Sequence, residues 1–510
     1  MAIYLGLDIG TSTIKSILLD TDLGKIISKA DVNTPVQHTN KQQAHHDPDE
    51  LINAVYKCIR KATQGYEVDG LGISSFAEAG IPLDSSGKPL FPIIAWFDPR
   101  SEPQVDAFLQ HIPQHEIEFI TGQKPGFSFG LFKYLWIKEN HPEIIKDMKF
   151  WLSTPDYVLY RMTGKMCTDY TQASRTMLFD QNHLTWSETI LNKACLEKDA
   201  LPAVKPSGSI VGTLTQSAAK STGLPEGIPC CLGGHDHLCG TYASGGYDPS
   251  AIIDSSGSSQ AIIALTDTYS PSEAIYQHGY VHYHHVTPDQ FCIKGGIKAA
   301  GKAVQWLVEL FKLESIPSIT ELLENRLSEK ATFPLMLPYF QGSGTPHREP
   351  FTQAALFGLT VGQSHNDILL ALYEGMGFWL RENIDAISLL TKRNYQSIIA
   401  IGGTNHNKDL LTAKANITNL PVLIPEIPEP SAVGAALLAA VGCSTYQNHQ
   451  QAQQSLDYRR TTIKPNTNYT SYYESIYDEV FIPAKSASIE LLRNYTQLQH
   501  NFLLNKKEDK

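Results

Sequence analysis

The sequence predicts an α/β protein with two domains of similar fold that face each other across a cleft. Three observations predict it. The chain has 510 residues, and it opens with three strands, a helix and a fourth strand. Near mid-chain, another strand ends in a turn rich in glycine and serine. At roughly 150 residues per domain, this length allows about three domains or two large ones. A glycine-containing turn at residues 246–249 divides the chain, so we predict domains at 1–247 and 248–510.

The opening elements can be assigned in order. Alternating apolar residues predict strands at 3–8, 14–20 and 25–32. A helix follows, because Asp47 can cap its start and a proline occupies the first helical position. A fourth strand is predicted at 70–74. This order is typical of the ribonuclease-H-like fold of the actin and hexokinase ATPases.

The second half repeats part of this pattern. An apolar strand at 251–254 leads into a serine- and glycine-rich turn, as the first strand does after Asp8. The repeat is imperfect, since Asp254 stands three residues before Gly257 whereas Asp8 stands two before Gly10. A duplicated domain with one phosphate-binding turn in each copy explains the pattern.

Three later helices are also predicted. One carries apolar residues at helical spacing between 304 and 311, and another begins at the capping box Ser364 to Asp367. A terminal helix around Tyr473, Tyr477 and Val480 is expected to pack back onto the second domain.

The composition excludes some classes of protein. Hydrophobic residues make up 42% of the chain and charged residues 18%, against a usual charged share of about 25%, so a large core is expected and disorder is not. The 41 basic and 52 acidic residues give a net charge of −11 without a basic run. We therefore expect no nucleic-acid partner, although backbone N–H groups can still bind a small anion such as phosphate.

The sequence further predicts a cytoplasmic protein that does not enter a membrane. The apolar residues 1–7 have no basic flank before them, unlike a signal peptide, and Asp8 interrupts them. The longest alanine- and leucine-rich stretch, at 434–442, is too short to span a bilayer. The eight cysteines contain no C-x-x-C pair, which favours reduced thiols.

The first candidate site is the turn that follows Asp8. A glycine allows close approach of a ligand, and the N–H and hydroxyl groups after it can point at phosphate oxygens. A carboxylate beside a phosphate needs a cation between them, so Asp8 predicts Mg²⁺. The alternative is an ordinary Asp-Gly turn. The candidate phosphate ligands are Gly10, Thr11, Ser12 and Thr13, with Lys15 as a compensating charge.

The second candidate is a carboxylate that follows an apolar run and two glycines. Asp236 stands between His235 and His237, where it could take a proton from a hydroxyl nucleophile. We expect the glycine pair to let a ligand lie against the backbone. H-x-H is also compatible with zinc, although no third ligand follows at a suitable spacing. The remaining alternative is that at least one histidine is structural.

Two more clusters suit a polyhydroxylated ligand and a nucleotide. Aromatic, acidic and basic side chains at strand ends can pack on C–H groups and bond hydroxyls; a buried tryptophan beside an ion pair is the alternative. These residues are Glu78, Trp96, Asp98 and Arg100. A glycine pair after the strand at 397–401 can contact a flat adenine, with an Asn amide at its edge. These residues are Gly402, Gly403, Thr404 and Asn407.

Three histidines near residue 283 form another metal candidate. His282 and His284 share one face of a strand, and His285 points away. A half-exposed structural strand is the preferred interpretation.

The order of these motifs along nearly the whole chain resembles the FGGY family of carbohydrate kinases. The resemblance rests on the phosphate turns at 8–13 and 257–259, the W-x-D-x-R pattern at 96–100, a T-D…A-S-R-T block at 168–176, and the Gly402-Gly403 pair. It implies that Asp236 is the catalytic base and lies near the metal, and that Asp8 also lies near Mg²⁺. It further implies that Glu78 belongs to the sugar pocket and that ATP is the phosphoryl donor. The chain departs from the family pattern at Ala77, Gly130 and Asn416, and the first two departures leave the substrate open.

The resemblance therefore implies an ATP-dependent kinase for a ketopentose, a deoxyketose or a sugar alcohol, with glycerol as an alternative substrate. Two other classes remain open: an actin- or chaperone-like ATPase, and a sugar-binding regulator without turnover. A small-molecule partner is expected, and family habit suggests a homodimer.

Overall fold

The computed structural model describes residues 2–39, 43–313, 321, 323–324 and 333–508. Two large sheets carry the fold, one in each half of the chain. The strands of the first half are β1 (Ile3–Ile9), β2 (Thr13–Asp20), β3 (Lys25–Asn33), β4 (Gln37–His38), β5 (Ala44–His46), β6 (Gly70–Ser75), β7 (Gly80–Leu83), β8 (Ile93–Ile94), β9 (Phe150–Ser153), β10 (Cys167–Asp169), β11 (Phe179–Asp180), β12 (Thr185–Trp186), β13 (Ala203–Lys205), β14 (Ile210–Thr213) and β15 (Pro229–His235). Its helices are α1 (Pro48–Thr63), α2 (Glu102–Leu109), α3 (Gln114–Thr121), α4 (Gly130–Asn140), α5 (Pro142–Asp147), α6 (Thr154–Thr163), α7 (Tyr170–Ser174), α8 (Glu188–Ala194), α9 (Gln216–Thr222) and α10 (Asp236–Ala243).

The second half continues with its own strands and helices. The strands are β16 (Ala251–Ser256), β17 (Gln260–Thr266), β18 (Val281–His284), β19 (Phe291–Ile297), β20 (Leu335–Leu337), β21 (Ala355–Phe357), β22 (Ser397–Ile401), β23 (Val422–Pro425) and β24 (Arg460–Ile463). The helices are α11 (Glu273–Gln277), α12 (Gly301–Phe311), α13 (His365–Thr391), α14 (Lys408–Thr418), α15 (Pro430–Gly442), α16 (His449–Gln454), α17 (Thr470–Ser475) and α18 (Ile482–Glu508). Among the described residues, no helix has the length and the apolar run that crossing a membrane requires.

The two sheets share one topology. The first has the order β14-β15-β6-β1-β2-β3, and the second has β18-β19-β17-β16-β22-β23-β24. In each, an antiparallel hairpin pairs in parallel with the next strand of the core, β1 with β6 and β16 with β22. The orders β3-β2-β1-β6-β15 and β19-β17-β16-β22-β23 are equivalent. The predicted two-domain ribonuclease-H-like fold is therefore confirmed.

Local sequence accounts for the first helix. The Asp47 side chain accepts hydrogen bonds from the N–H groups of Asp49 and Glu50, two of the donors that a helix start leaves without partners. The residues expected on the inner face, including Leu51 and Val55, are fully buried. The helix thereby closes one face of the first sheet.

One helix of the second half packs on the sheet of the first. Helix α15 contacts β1, β6, β15 and α10. Glycines allow this close approach, since a Cβ at Gly6 would lie 1.9 Å from the carbonyl oxygen of Ala432, and one at Gly434 would lie 2.1 Å from that of Cys239. Helices α10 and α15 thus join the halves beneath the cleft. The domain boundary after residue 247 stays a prediction.

The end of the chain packs on α13, as the aromatic spacing predicts. Tyr473, Tyr477 and Phe481 surround Phe378, and the Phe378 and Phe481 ring centroids are 5.1 Å apart. The capping box at the start of α13 forms as expected between Ser364 and Asp367. This packing covers the outer side of the second sheet.

Candidate active site

Three parallel strands of the first sheet end at the same edge and bring two carboxylates together. In the ladder, Asp8 on β1 is opposite Ser74 on β6, and Ser74 is opposite Gly234 on β15. Asp236 follows directly as the first residue of α10. Residues that are far apart in sequence therefore share one site because of the strand order.

Burial and mutual repulsion set the charge of these carboxylates. The pKa of Asp8 is raised to about 7, chiefly by burial and then by the charge of Asp236, while the hydrogen bond from Ser74 opposes both. The pKa of Asp236 is raised to about 6, chiefly by burial. Two such oxygen ligands suit a hard cation such as Mg²⁺, which would relieve their repulsion. Across the described residues, no group of three or more metal-ligating side chains occurs.

The two histidines beside Asp236 are neutral. Burial lowers the pKa of His235 well below its usual value, and the charge of Lys294 is the largest cause that lowers the pKa of His237 to about 3. His235 Nε2 lies 3.3 Å from Asp236 Oδ1, and the His237 backbone N–H donates to that oxygen at 2.6 Å. Ser431 of the second half donates to the Asp236 carbonyl at 3.0 Å. Asp236 is thus held from both halves of the chain.

The glycine pair before Asp236 has a different role from the one expected. A Cβ at Gly233 would lie 2.1 Å from the carbonyl oxygen of Ile73, and one at Gly234 would lie 2.6 Å from Val286 Cγ1. The interpretation that the pair lets a ligand lie against the backbone was therefore wrong. The glycines allow β15 to pass β6 with a register shift and to approach the second half.

The first phosphate turn is closed by its own backbone. The Gly10 N–H donates to the carbonyl of Thr13 at 3.2 Å, and the Thr34 hydroxyl donates to the Gly10 carbonyl at 2.7 Å. Ser12 is exposed at the tip. The predicted compensating cation, Lys15, pairs with Glu429 of the second half at 2.7 Å.

The second phosphate turn faces open space. The Gly257 N–H donates to the carbonyl of Ser259 at 2.8 Å, and the Gly301 N–H at the start of α12 donates to the Gly257 carbonyl at 3.0 Å. A Cβ at Gly257 would have its nearest protein neighbour 4.0 Å away. Ser258 and Ser259 are exposed. The turn could therefore take a ligand without displacing described protein atoms.

Hairpin alignment explains the imperfect repeat. Ile9 and Ser256 are the last paired residues before their turns, so Ser255 and not Asp254 corresponds to Asp8. Asp254 instead lies in the core, where Lys414 Nζ donates to its Oδ2 at 2.5 Å. Only the first turn therefore has a carboxylate beside it.

The predicted adenine segment is shaped by its glycines. Gly402 has a φ of 96°, and a Cβ there would lie 2.5 Å from the Ser256 carbonyl oxygen, while a Cβ at Gly403 would meet no described atom within 4 Å. Thr404 donates to the Ser256 carbonyl at 3.0 Å. The segment therefore lies beside the second phosphate turn.

Asn407 caps a helix beside the predicted adenine segment. Its Oδ1 accepts the N–H of Leu410 and caps α14, and its Nδ2 donates to the Tyr373 hydroxyl at 2.8 Å. Each end of the amide thus has one partner and keeps one further donor or acceptor position. That Asn407 reads an adenine edge stays a prediction.

Glu78 lies in the first half in a strained conformation and forms a buried ion pair. Its φ is 71°, in the left-handed region. Its Oε1 accepts from Arg175 Nε at 2.7 Å, and Arg175 Nη1 donates to Gln123 Oε1 at 2.9 Å. The guanidinium also lies 4.7 Å from the Phe129 ring centroid. The arginine is thus fixed on three sides.

Asp98 is turned inward. Its Oδ1 accepts from Arg100 Nε at 3.0 Å, and its Oδ2 accepts from Arg100 Nη2 at 2.6 Å and from the Ala44 N–H at 2.7 Å. Burial alone would raise the Asp98 pKa, but these hydrogen bonds outweigh it and lower the pKa. With no exposed surface, Asp98 does not present its carboxylate to a ligand as predicted. It holds the loop that carries Trp96, whose Nε1 donates to Thr11 Oγ1 at 2.9 Å.

The three-histidine strand is buried and not half-exposed as expected. His282 Nε2 lies 2.9 Å from Thr266 Oγ1, and His284 Nδ1 lies 2.5 Å from the His285 carbonyl. His285 is fully buried. These side chains belong to the contact between the halves.

Sequence reasoning missed two basic residues of the cleft. Arg175 belongs to a block interpreted as structural, and Lys294 lies in a strand without any recognisable motif. Their partners are distant in sequence, so only an alignment of relatives or the fold itself could have found them.

Comparison with known proteins places both halves in one family. Models of the FGGY family of carbohydrate kinases match residues 3–242 for the N-terminal domain and 254–443 for the C-terminal domain. The xylulose kinase of Bacillus subtilis is 27% identical over 485 residues, which cover 94% of this chain and 96% of that protein. The glycerol kinase of Thermococcus gammatolerans is 26% identical over 466 residues, 88% of this chain and 91% of the other.

A solved structure shows the same fold. The xylulose kinase from Rhodospirillum rubrum superposes with a TM-score of 0.85 at 22% identity, covering 96% of this chain and 99% of that one. The match spans both halves and confirms the fold that the resemblance implied.

Proposed function

Since the chain belongs to the FGGY family of carbohydrate kinases and is an ATP-dependent sugar kinase, we propose that it transfers the γ-phosphoryl group of ATP to a hydroxyl of a sugar or polyol. We infer a substrate of about five or six carbons, because the residue beside Glu78 is the small Ala77. A ketopentose agrees with the xylulose kinase relatives.

The observation that supports this proposal is the pair of carboxylates beside the first phosphate turn, in a chain whose second half has an equivalent turn. Asp236 lies beside Asp8, and the turns at 10–13 and 257–259 belong to the two halves joined beneath the cleft. Phosphoryl transfer depends mainly on such positioning and on charge stabilisation. A turn from each half lets ATP bind between them.

We assign Asp236 as the general base. It takes the proton of the attacking hydroxyl, and a pKa raised to about 6 is near the value that suits this role at neutral pH. The pKa of His235 is lowered well below its usual value and that of His237 to about 3, so His237 is a weaker base than Asp236. The Ser431 hydrogen bond keeps the start of α10 in place.

Asp8 and Asp236 are the residues that would hold Mg²⁺. When bound, Mg²⁺ neutralises charge on the transferring phosphoryl group. The phosphates of ATP would contact the two turns, and the nucleoside would lie against Gly402, Gly403 and Thr404. Lys15 would contribute its positive charge near the phosphates while it stays paired with Glu429.

On the sugar side, Glu78 and Trp96 would contact hydroxyl and C–H groups. Asp98 and Arg100 would hold the loop that carries Trp96. We also propose a domain boundary after residue 247, a cytoplasmic location and a homodimer.

The test is a coupled ADP-release assay with a panel of ketoses, alditols, glycerol and sugar acids. We expect ADP formation that depends on one class of compound with five or six carbons. ATP hydrolysis that no compound changes would favour an actin-like ATPase, and binding without turnover would favour a regulator. A clear preference for glycerol would contradict the pocket size.

A further inference from the structure

The sugar side of the cleft contains two basic side chains, Arg175 and Lys294, and among the described residues only Arg175 is in an ion pair. Arg175 is compensated by Glu78. Lys294 reaches the same region from β19 of the second half, where burial and then the charge of Arg175 lower its pKa, while the charges of Glu78 and Asp236 oppose this shift. Within the part of the chain that the structure describes, Lys294 has no ion pair and no hydrogen bond. Lys294 is half-buried, so its ammonium group is available to an anionic ligand.

Strand register locates Lys294 on the side of the pocket formed by Gln123. Lys294 is opposite Val281 on β18, and the N–H of the next residue, His282, donates to the Gly122 carbonyl at 2.8 Å. Gln123 follows directly. Both residues therefore belong to the region where the halves of the chain touch.

Lys294 is well removed from the second phosphate turn. Ile297, three residues later on β19, is opposite Gln260 at the end of that turn. Three strand residues span roughly 10 Å. The ammonium group is therefore better placed for the sugar than for the phosphates of ATP.

Gln123 supplies a second unused donor. Its side chain is fully buried, its Oε1 accepts from Arg175, and its Nε2 has no partner among the described residues. The amide orientation is fixed, because only the oxygen can accept from the guanidinium. A buried N–H₂ without a partner is unfavourable unless a ligand accepts from it.

Lys294 also acts on the reaction centre. Its charge is the largest cause that lowers the pKa of His237, and it also lowers that of Asp236. A ligand bound to Lys294 would therefore extend toward the proposed base.

We propose that the substrate is a sugar acid, a polyhydroxylated carboxylate whose carboxylate group accepts hydrogen bonds from Lys294 Nζ and Gln123 Nε2. This inference rests on the proposed kinase function and names the substrate class of the same site. A hydroxyl further along the carbon chain faces Asp236, and Glu78 meets a neutral hydroxyl. Because Arg175 is already paired with Glu78, Lys294 is the remaining cation of this region without a direct ion pair among the described residues, and a single ammonium group matches a carboxylate better than the dianion of a sugar phosphate.

The experiment compares each aldonate of five or six carbons with the alditol and ketose of the same configuration, and with the sugar phosphate. Two readouts are used: kcat/KM from ADP release, and calorimetric binding without ATP. We expect an aldonate to be preferred at least tenfold. In Lys294→Met, kcat/KM for that aldonate should fall roughly 10- to 150-fold, the loss of a hydrogen bond to a charged group.

Two further variants keep the test decisive. Lys29→Met removes an exposed lysine of β3 and should leave aldonate binding unchanged. Gln123→Glu keeps an acceptor for Arg175 but faces the carboxylate with a negative charge, so it should weaken aldonate binding even if Lys294→Met does not fold.

The outcomes separate the two proposals. A neutral sugar preferred by wild type, with Lys294→Met as selective as wild type, overturns the sugar-acid assignment and leaves the kinase function intact. Preference for a sugar phosphate also overturns it. If no compound in the panel stimulates ADP release, the kinase proposal itself fails.

Discussion

Replacing Glu78 by Gln should lower both the stability of the protein and its activity toward the sugar. The Glu78 and Arg175 side chains are 8% and 16% exposed, so the variant leaves a nearly buried guanidinium without its counter-charge. Removing one partner of a buried ion pair costs about 3–5 kcal/mol. Gln retains an oxygen that accepts from Arg175, so we expect the lower part of this range, about 3 kcal/mol.

The measurement is urea unfolding together with steady-state kinetics on the preferred substrate. Glu67→Gln, at an exposed position, is the matched control and should change neither. In Glu78→Gln, kcat/KM for the sugar should fall roughly 10- to 150-fold while the KM for ATP stays near wild type. Wild-type stability together with wild-type sugar kinetics would refute the reasoning. Lower stability with unchanged sugar kinetics would make Glu78 purely structural.

Three other perturbations probe separate parts of the account. Gly257→Val should fold, since its Cβ has no protein neighbour closer than 4.0 Å, but should raise the KM for ATP far more than that for the sugar; equal increases would contradict a phosphate site. Lys414→Met leaves the buried Asp254 carboxylate without its ion-pair partner and should lower the unfolding free energy by about 3–5 kcal/mol in urea titrations. A loss of less than about 1 kcal/mol would contradict this role of the ion pair. Because Asp236 must be ionised to act as base and burial raises its pKa to about 6, kcat/KM at limiting Mg²⁺ should fall as the pH drops below that value; no decline down to about pH 4.5 would contradict the assignment.

The sequence predicted the elements whose evidence is local. The three opening strands and the first helix carry alternation and a capping Asp47 within a few residues, so they could be identified without the fold. Asp236 was also identifiable, because it follows a buried strand directly. The second phosphate turn was identified by its glycine, although the counterpart of Asp8 was assigned to Asp254 and not to Ser255.

The features that could not be predicted from the sequence depend on partners that are far away in the chain. Asp98 was recognised within its motif, but its burial depends on Ala44, far away in the chain. Asn407 was likewise recognised, but its hydrogen bond to Tyr373 could not be predicted. Lys294 has no local pattern at all, and its place in the cleft follows only from the ladder of β18 and β19. A motif identifies the type of a residue. Which atoms of that residue remain available to a ligand depends on the contacts that the fold makes.

The central claim is that Asp236 is the general base of sugar phosphorylation, and single-turnover phosphoryl transfer by Asp236→Ala tests it most directly. The account predicts that the variant binds ATP and sugar with affinities close to wild type but transfers the phosphoryl group about 10²–10⁴-fold more slowly. Transfer at a near-normal rate in a correctly folded variant would contradict the claim and remove Asp236 from the mechanism.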